Sequence, residues 1–172
     1  MTSGLVSISI INILMYYLSM KKSVVFSKVF LGADHAGYKF KERIKKYLEN
    51  KNIDFVDLGS SNIVEGDDYD DYAKKVCAKV AKHKDYGGIL ICGSGVGMAM
   101  AANRYKSIRA VAAYDIYTAQ MSRSDEDSNV LALRSRFFSF TKTKRIIDTW
   151  LSTKFSAKPR HIRRIKKLNR GV

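Results

Sequence analysis

Residues 88–103 read GILICGSGVGMAMAAN. Gly88 to Cys92 is a short, unbroken apolar run, the pattern of a strand buried on both faces of a parallel sheet. Met98 to Asn103 reads as helix. Between them lie Gly93, Ser94, Gly95, Val96 and Gly97, a glycine-rich turn. Glycines let the backbone turn its N–H groups inward, and the start of the next helix adds positive potential, so such a turn can hold an anion. Cys92 sits beside those amides, where the thiolate form of a cysteine is favoured and can act as base or nucleophile. The same amides can stabilise an oxyanion that develops on a substrate. The text GxGxG differs from the dinucleotide fingerprint GxGxxG, and it follows a middle strand rather than the first. A plain strand-to-helix turn shares this composition, so the residues around it must decide its meaning.

Outward from this stretch, short apolar runs alternate with helical patterns. Val24 to Ala33, Ile53 to Leu58, Arg109 to Ala113 and Asn129 to Leu133 read as further strands. Phe40, Ile44, Tyr47 and Leu48 fall on one helical face, as do Tyr72, Val76 and Val80, and then Ile146, Ile147, Trp150 and Leu151. Pro159 opens a basic helix with Ile162, Ile165 and Leu168 on its apolar side. This alternation predicts an α/β domain, three layers αβα, around a five-stranded parallel Rossmann-like sheet. In such folds ligands sit at the carboxyl ends of strands. That rule singles out Gly32-Ala33-Asp34-His35, Cys92 to Gly97, and Tyr114-Asp115.

The bulk properties narrow the function. The 172 residues are 46% hydrophobic, enough for one domain with a real core. Two cysteines, Cys77 and Cys92, are too few for a disulfide framework and read as reduced thiols in a cytosolic protein; Cys77 lies on the apolar face of its helix. His35, His83 and His161 are scattered, without zinc-site spacing. The net charge is +15, of which Lys154 to Arg170 supplies +8 with no acid. Nucleic acid, an anionic membrane surface and a small phosphorylated ligand all suit such a segment, as does a merely solvated face. Nucleic-acid binding calls for aromatic side chains among the basic ones, and this segment holds Phe155 alone. Leu5 to Ser19 is nearly all apolar or hydroxylated, yet shorter than the roughly 20 residues of a span, and lacks the flanking charge of a secretory signal. Residues 1–22 therefore read as an extension outside a compact domain of residues 23–172, with a membrane anchor as the alternative. A chain starting at Met20 is expected to be as active as the whole.

Several motifs occur together and in order: Gly32-Ala33-Asp34-His35-Ala36-Gly37; Asp68-Tyr69 and Tyr72-Ala73; Gly88 to Gly97; Ala101-Ala102-Asn103-Arg104; Ile108-Arg109-Ala110; Asn129-Val130-Leu131; Ser135-Arg136; and Arg160-His161 followed by Arg164. On these, from about Val29 to Leu168, the chain resembles the type B ribose-5-phosphate isomerases, which group with the galactose-6-phosphate isomerases.

The resemblance implies proton transfer between C1 and C2 of an open-chain sugar phosphate through a cis-enediolate, a step of the pentose phosphate pathway, without metal or cofactor. It assigns the base to Cys92. A second branch places a glutamate one residue past the last glycine of the loop, and here that residue is Met98, which takes no proton. Ser94 would move protons on the hydroxyls, while Gly93, Gly95, Val96 and Gly97 would hold the enediolate through their amides. Asp34 would bind sugar hydroxyls, and His35 would contact substrate near the phosphate. Arg136, Arg160 and Arg164 match phosphate-binding arginines; the last two are four apart, on one helical face. The C-terminal pair is expected to reach a neighbouring subunit's site, so a homodimer or larger homo-oligomer follows. One departure stands out. Where the resemblance calls for a ring-opening histidine and a substrate-binding asparagine, this chain has Asp125 and Glu126. Ring opening then falls to Asp125 with a raised pKa, or to His35, or is slow. Six-carbon substrates such as allose or galactose 6-phosphate, and a non-catalytic sugar-phosphate-binding role, are the competing expectations.

Overall fold

The computed structural model describes residues 24–170. The apolar run Leu5–Ser19 and the expected domain start at residue 23 lie outside them. In chain order the elements are β1 (Lys28–Ala33), α1 (Tyr38–Asn50), β2 (Phe55–Asp57), α2 (Tyr69–Val80), β3 (Tyr86–Cys92), α3 (Val96–Ala102), β4 (Ala110–Ala112), α4 (Ile116–Ser124), β5 (Val130–Arg134), α5 (Phe140–Ser152) and α6 (Pro159–Leu168). The strands form one five-stranded sheet in the order β2-β1-β3-β5-β4, with every pairing parallel. Among the described residues no helix is long and apolar enough to cross a membrane.

The period of two along each central strand builds the layers. Val29, Leu31, Ile89, Ile91, Leu131 and Leu133 face one core, under α1, α4 and α5. Phe30, Leu90, Cys92, Val130 and Ala132 face the other, under α2 and α3. Both faces of β1, β3 and β5 are covered, which is why their sequences run apolar without alternation. Trp150 of α5 is fully buried and stacks on Phe26 with ring centroids 4.6 Å apart.

Three expectations need correction. The first strand begins at Lys28 rather than Val24, and residues 24–27 lead into it with Val25 N–H donating to Leu151 O. A helix not foreseen, α4, spans Ile116–Ser124; it buries Ala119, Ser122 and Arg123, which carry no apolar periodicity to read. Finally, α6 forms where Pro159 predicts, but Ile162 and Leu168 stay exposed and His161 is its buried residue.

Beneath the loop after β2 lies a lysine with no exposed surface. Lys41 pairs with Asp57 and Glu42 and donates to Ser60 O at 2.9 Å. Lys45 also reaches Asp57, at 3.0 Å. Removing one partner from a buried pair is far costlier than the pair's net contribution, because an uncompensated charge remains. Lys41→Met keeps the aliphatic stem and deletes the charge. It is expected to cost about 3 kcal/mol, the lower end of the range for such breakage, because Lys45 still serves Asp57. Chemical denaturation of the two proteins measures this directly, and an unchanged midpoint would contradict it.

Candidate active site

β2 lies on one side of β1 and β3 on the other, so the chain reverses its direction of travel across the sheet between β1 and β3. Loops leaving the carboxyl ends of those two strands diverge and leave a crevice. A cleft of about 480 Å³ sits there, lined by Asp34, His35, Cys92, Gly93, Ser94 and Arg136 among others.

Cys92 is the last residue of β3 and is 5% exposed. The Gly95 N–H donates to its Sγ at 3.1 Å, so negative charge on the sulfur has a donor. That approach requires Gly95 at φ +83°, a left-handed conformation that suits glycine. The Val96 N–H donates to Ser94 Oγ at 3.3 Å, and the Tyr114 hydroxyl donates to Ser94 O at 3.1 Å. Gly95 and Val96 thus shape the turn, while Gly93, Ser94 and Gly97 line the cleft. Gly97 lies against the ring of Tyr69, where a Cβ would come within 2.9 Å. Cys77 is the contrasting thiol: burial alone pushes its pKa up to about 12, which leaves it inert.

The loop after β5 closes the cleft. Ser135 N–H donates to Cys92 O at 3.0 Å and Arg136 N–H to Gly93 O at 3.1 Å. The Arg136 guanidinium consequently lies over Gly93, close enough that a Cβ there would sit 3.1 Å from its Cζ. From β1, Asp34 is 6% exposed and its Oδ1 accepts from Gly37 N–H at 2.8 Å. Desolvation pushes the Asp34 pKa up, against the pull of that hydrogen bond and of His35. His35, beside it, also lines the cleft and is held from another loop: Asp67 Oδ1 accepts from its backbone N–H at 3.0 Å and engages its ring Nδ1 at 2.6 Å.

The other expected residues lie elsewhere. Helix α5 returns to the amino ends of the strands, since Leu151 meets Val25 ahead of β1 and Trp150 Nε1 donates to Ser128 Oγ ahead of β5. Asp125 and Glu126 precede β5 at that same end, and Ser156 N–H donates to Ser124 O beside them. Here α6 holds Arg160 and Arg164, both exposed. The length of β5 alone separates this pole from Cys92 by on the order of 15 Å, beyond the reach of any side chain. Within one chain, Asp125, Glu126, Arg160 and Arg164 therefore do not join Cys92.

At this pole Arg160 Nε donates to His161 Nε2 at 2.9 Å, while His161 Nδ1 lies 2.8 Å from Ser156 Oγ and 3.6 Å from Asp125. The Asp125 pKa is lowered, first by the Ser124 hydroxyl and then by the positive charges of the α6 segment. A raised pKa, expected for a ring-opening acid, is the opposite of what this chain sets up at Asp125. Glu126 borders a separate pocket of about 400 Å³ with Arg109, Tyr105 and Leu168.

Four lining residues were not among the candidate site residues: Ala36 and Tyr69, which occur only within the motifs, and Arg134 and Phe137. Arg134 ends β5 and was within reach of the carboxyl-end rule. Phe137 was not, being a 97% exposed aromatic at φ +51° whose carbonyl accepts from Arg134 Nη2. Among the described residues no group of three or more His, Cys, Asp or Glu side chains is placed to hold a metal ion.

The family described as Ribose/Galactose Isomerase matches residues 29–168. The ribose-5-phosphate isomerase B of Escherichia coli is 40% identical over 139 residues, 81% of this chain and 92% of that one. A ribose 5-phosphate isomerase structure from Thermotoga maritima superposes with a TM-score of 0.79 at 40% identity, covering 83% of this chain and 97% of its own. Ribose-5-phosphate isomerase B from Mycoplasma genitalium, solved with bound ribulose-5-phosphate, gives 0.80 at 40% identity over 84% of this chain and 95% of that one.

Proposed function

The chain belongs to the ribose/galactose isomerase family, and on that premise we propose that it interconverts D-ribose 5-phosphate and D-ribulose 5-phosphate. The observation that carries the reading is Cys92 at the end of the middle strand, its sulfur in a glycine turn and its cleft shared with Arg136. The Cys92 thiolate takes the C2 proton of the open-chain aldose and returns it to C1 of the cis-enediolate. Ser94 passes the accompanying proton between O1 and O2. The Gly95 and Val96 amides already serve Cys92 Sγ and Ser94 Oγ, so the oxygen that gains charge is left to the remaining loop amides, at Gly93, Ser94 and Gly97, where donors fixed in advance contribute most. Asp34 receives sugar hydroxyls, and His35 and Arg136 meet the phosphate end. A bound ribulose-5-phosphate in the Mycoplasma genitalium relative supports a pentose phosphate as the ligand.

The site is completed by a second copy of the chain. Arg160 and Arg164 are exposed and unattached to the cleft of their own chain, and paired guanidinium donors suit a phosphate. A two-fold homodimer would set one copy's amino-end pole against the other's cleft, adding Arg160, Arg164, Asp125 and Glu126 to each Cys92. There Asp125 and Glu126 would stand where the resemblance calls for the ring-opening histidine and its asparagine.

The direct test is a coupled assay with ribose 5-phosphate beside allose 6-phosphate and galactose 6-phosphate. The expected kcat/KM is highest for ribose 5-phosphate. Higher values on a six-carbon sugar would reassign the substrate, and no turnover of any of the three would make the cleft a binding site without chemistry.

A further inference from the structure

Asp67 lies in the loop ahead of α2, in none of the motifs that carry the family resemblance, and it does not line the cleft. Its side chain is nevertheless 9% exposed and its Oδ1 accepts twice from one residue, from the His35 backbone N–H at 3.0 Å and at the ring Nδ1 at 2.6 Å. The other oxygen, Oδ2, is buried without a hydrogen-bond partner among the described residues. The Tyr72 hydroxyl also acts on this carboxylate, but the two contacts from one oxygen to one histidine call for an explanation. Surface loops rarely keep such a group for stability, since an uncharged side chain would avoid the desolvation.

The grip has a defined chemical consequence. A carboxylate accepts only, so the ring nitrogen it faces must carry the proton. The neutral imidazole is thereby held with hydrogen on Nδ1, which leaves Nε2 as the free lone pair. The same oxygen pins the backbone on which the ring is carried, so both the direction and the tautomer of His35 are set by one atom. His35 lines the cleft with its side chain 31% exposed.

We propose that Asp67 is a positioning residue for His35, fixing the Nδ1–H tautomer so that Nε2 is the atom His35 offers to the substrate. This rests on the reading of the cleft as the isomerase site. Nε2 can then accept from a sugar hydroxyl when neutral, or donate to a phosphate or ring oxygen when protonated.

The test compares Asp67→Ala, Asp67→Asn and His35→Ala in the full chain. The first variant removes the acceptor; the second keeps an acceptor oxygen and deletes the charge. Nitrogen-15 NMR of the His35 ring reports the tautomer independently of activity. The expected result is an Nδ1–H pattern in the unmodified protein, its loss in Asp67→Ala and its retention in Asp67→Asn. Asp67→Ala should lose roughly tenfold in kcat/KM for ribose 5-phosphate, the size of a missing charge-assisted hydrogen bond, and Asp67→Asn should recover most of it. Circular dichroism and the unfolding midpoint establish that each variant is folded. An unchanged His35 tautomer in Asp67→Ala overturns the proposal, as does a full loss of activity without any tautomer change. If instead His35→Ala is fully active, the assignment of His35 to the isomerase site fails. The ring spectra still decide in that case whether Asp67 sets the tautomer.

Discussion

Replacing Cys92 with alanine is expected to lower kcat at least ~100-fold, the lower end of what positioned acid–base groups contribute. That corresponds to about 2.7 kcal/mol or more of lost transition-state stabilisation. The size follows from the geometry. Within the cleft no other side chain combines a soft, chargeable atom with a donor such as the Gly95 N–H at 3.1 Å. Ser94 is two residues on, and a hydroxyl is a far weaker base than a thiolate. Substrate binding should change little, because the phosphate is held elsewhere, so the loss belongs in kcat rather than KM. Cys92→Ser is the companion variant. It preserves size and keeps an acceptor for the Gly95 amide, so it separates loss of the base from disturbance of the turn, and it should be nearly as inactive. Cys77→Ala is the control, expected to leave kinetics close to normal because that thiol faces the α2–α3 core with its pKa pushed up to about 12. Near-normal kcat in a folded Cys92→Ala protein would remove the central claim.

Mixing two inactive proteins is expected to restore activity. One carries Cys92→Ala, the other Arg160→Ala with Arg164→Ala. The single chain supplies the reason: Cys92 ends β3 at one pole of the sheet, while Arg160 and Arg164 sit on α6 at the other. Removing each guanidinium's charge-assisted bond to the phosphate should cost about 1.5–3 kcal/mol, so the arginine variant is silent at low substrate. In a two-fold dimer every site takes its base from one chain and its arginines from the other. A mixed dimer then holds one intact site and one doubly damaged site. Random exchange yields half mixed dimers, so recovery should approach about a quarter of unmodified activity for equal amounts. Lys166→Ala with Lys167→Ala serves as the charge control on the same helix and should cost little, both side chains being exposed. If exchange is demonstrated by mass or fluorescence and activity stays absent, base and arginines act from the same chain and the interface assignment falls.

How much of this was legible in the sequence depended on whether the physics was local. The central strands announced themselves because burial on both faces removes polar residues from Val29–Ala33, Ile89–Cys92 and Val130–Leu133. Helices α1, α2 and α5 were equally plain, each presenting large apolar residues at helical spacing to one core. The turn after Cys92 was legible for the same reason: a thiol, three glycines and a serine within six residues constrain the backbone and supply the chemistry together. Helix α4 was hidden because Ala119, Ser122 and Arg123 fill its buried face without hydrophobic contrast. Arg123 instead donates to Ser128 O and pairs with Asp127, satisfying polar groups that composition would place in solvent.

The residues alone thus settled the α/β layering, the strand that carries the thiol and the glycine turn that follows it, because periodicity and backbone propensity act over a few residues. Folding in three dimensions decided the rest. It brought Asp67 under His35 across 32 positions, laid Arg136 over Gly93, and sent Asp125, Arg160 and Arg164 to the end of the sheet away from Cys92. Those relations follow from strand order and from helices running back along the sheet, which no stretch of chain encodes by itself.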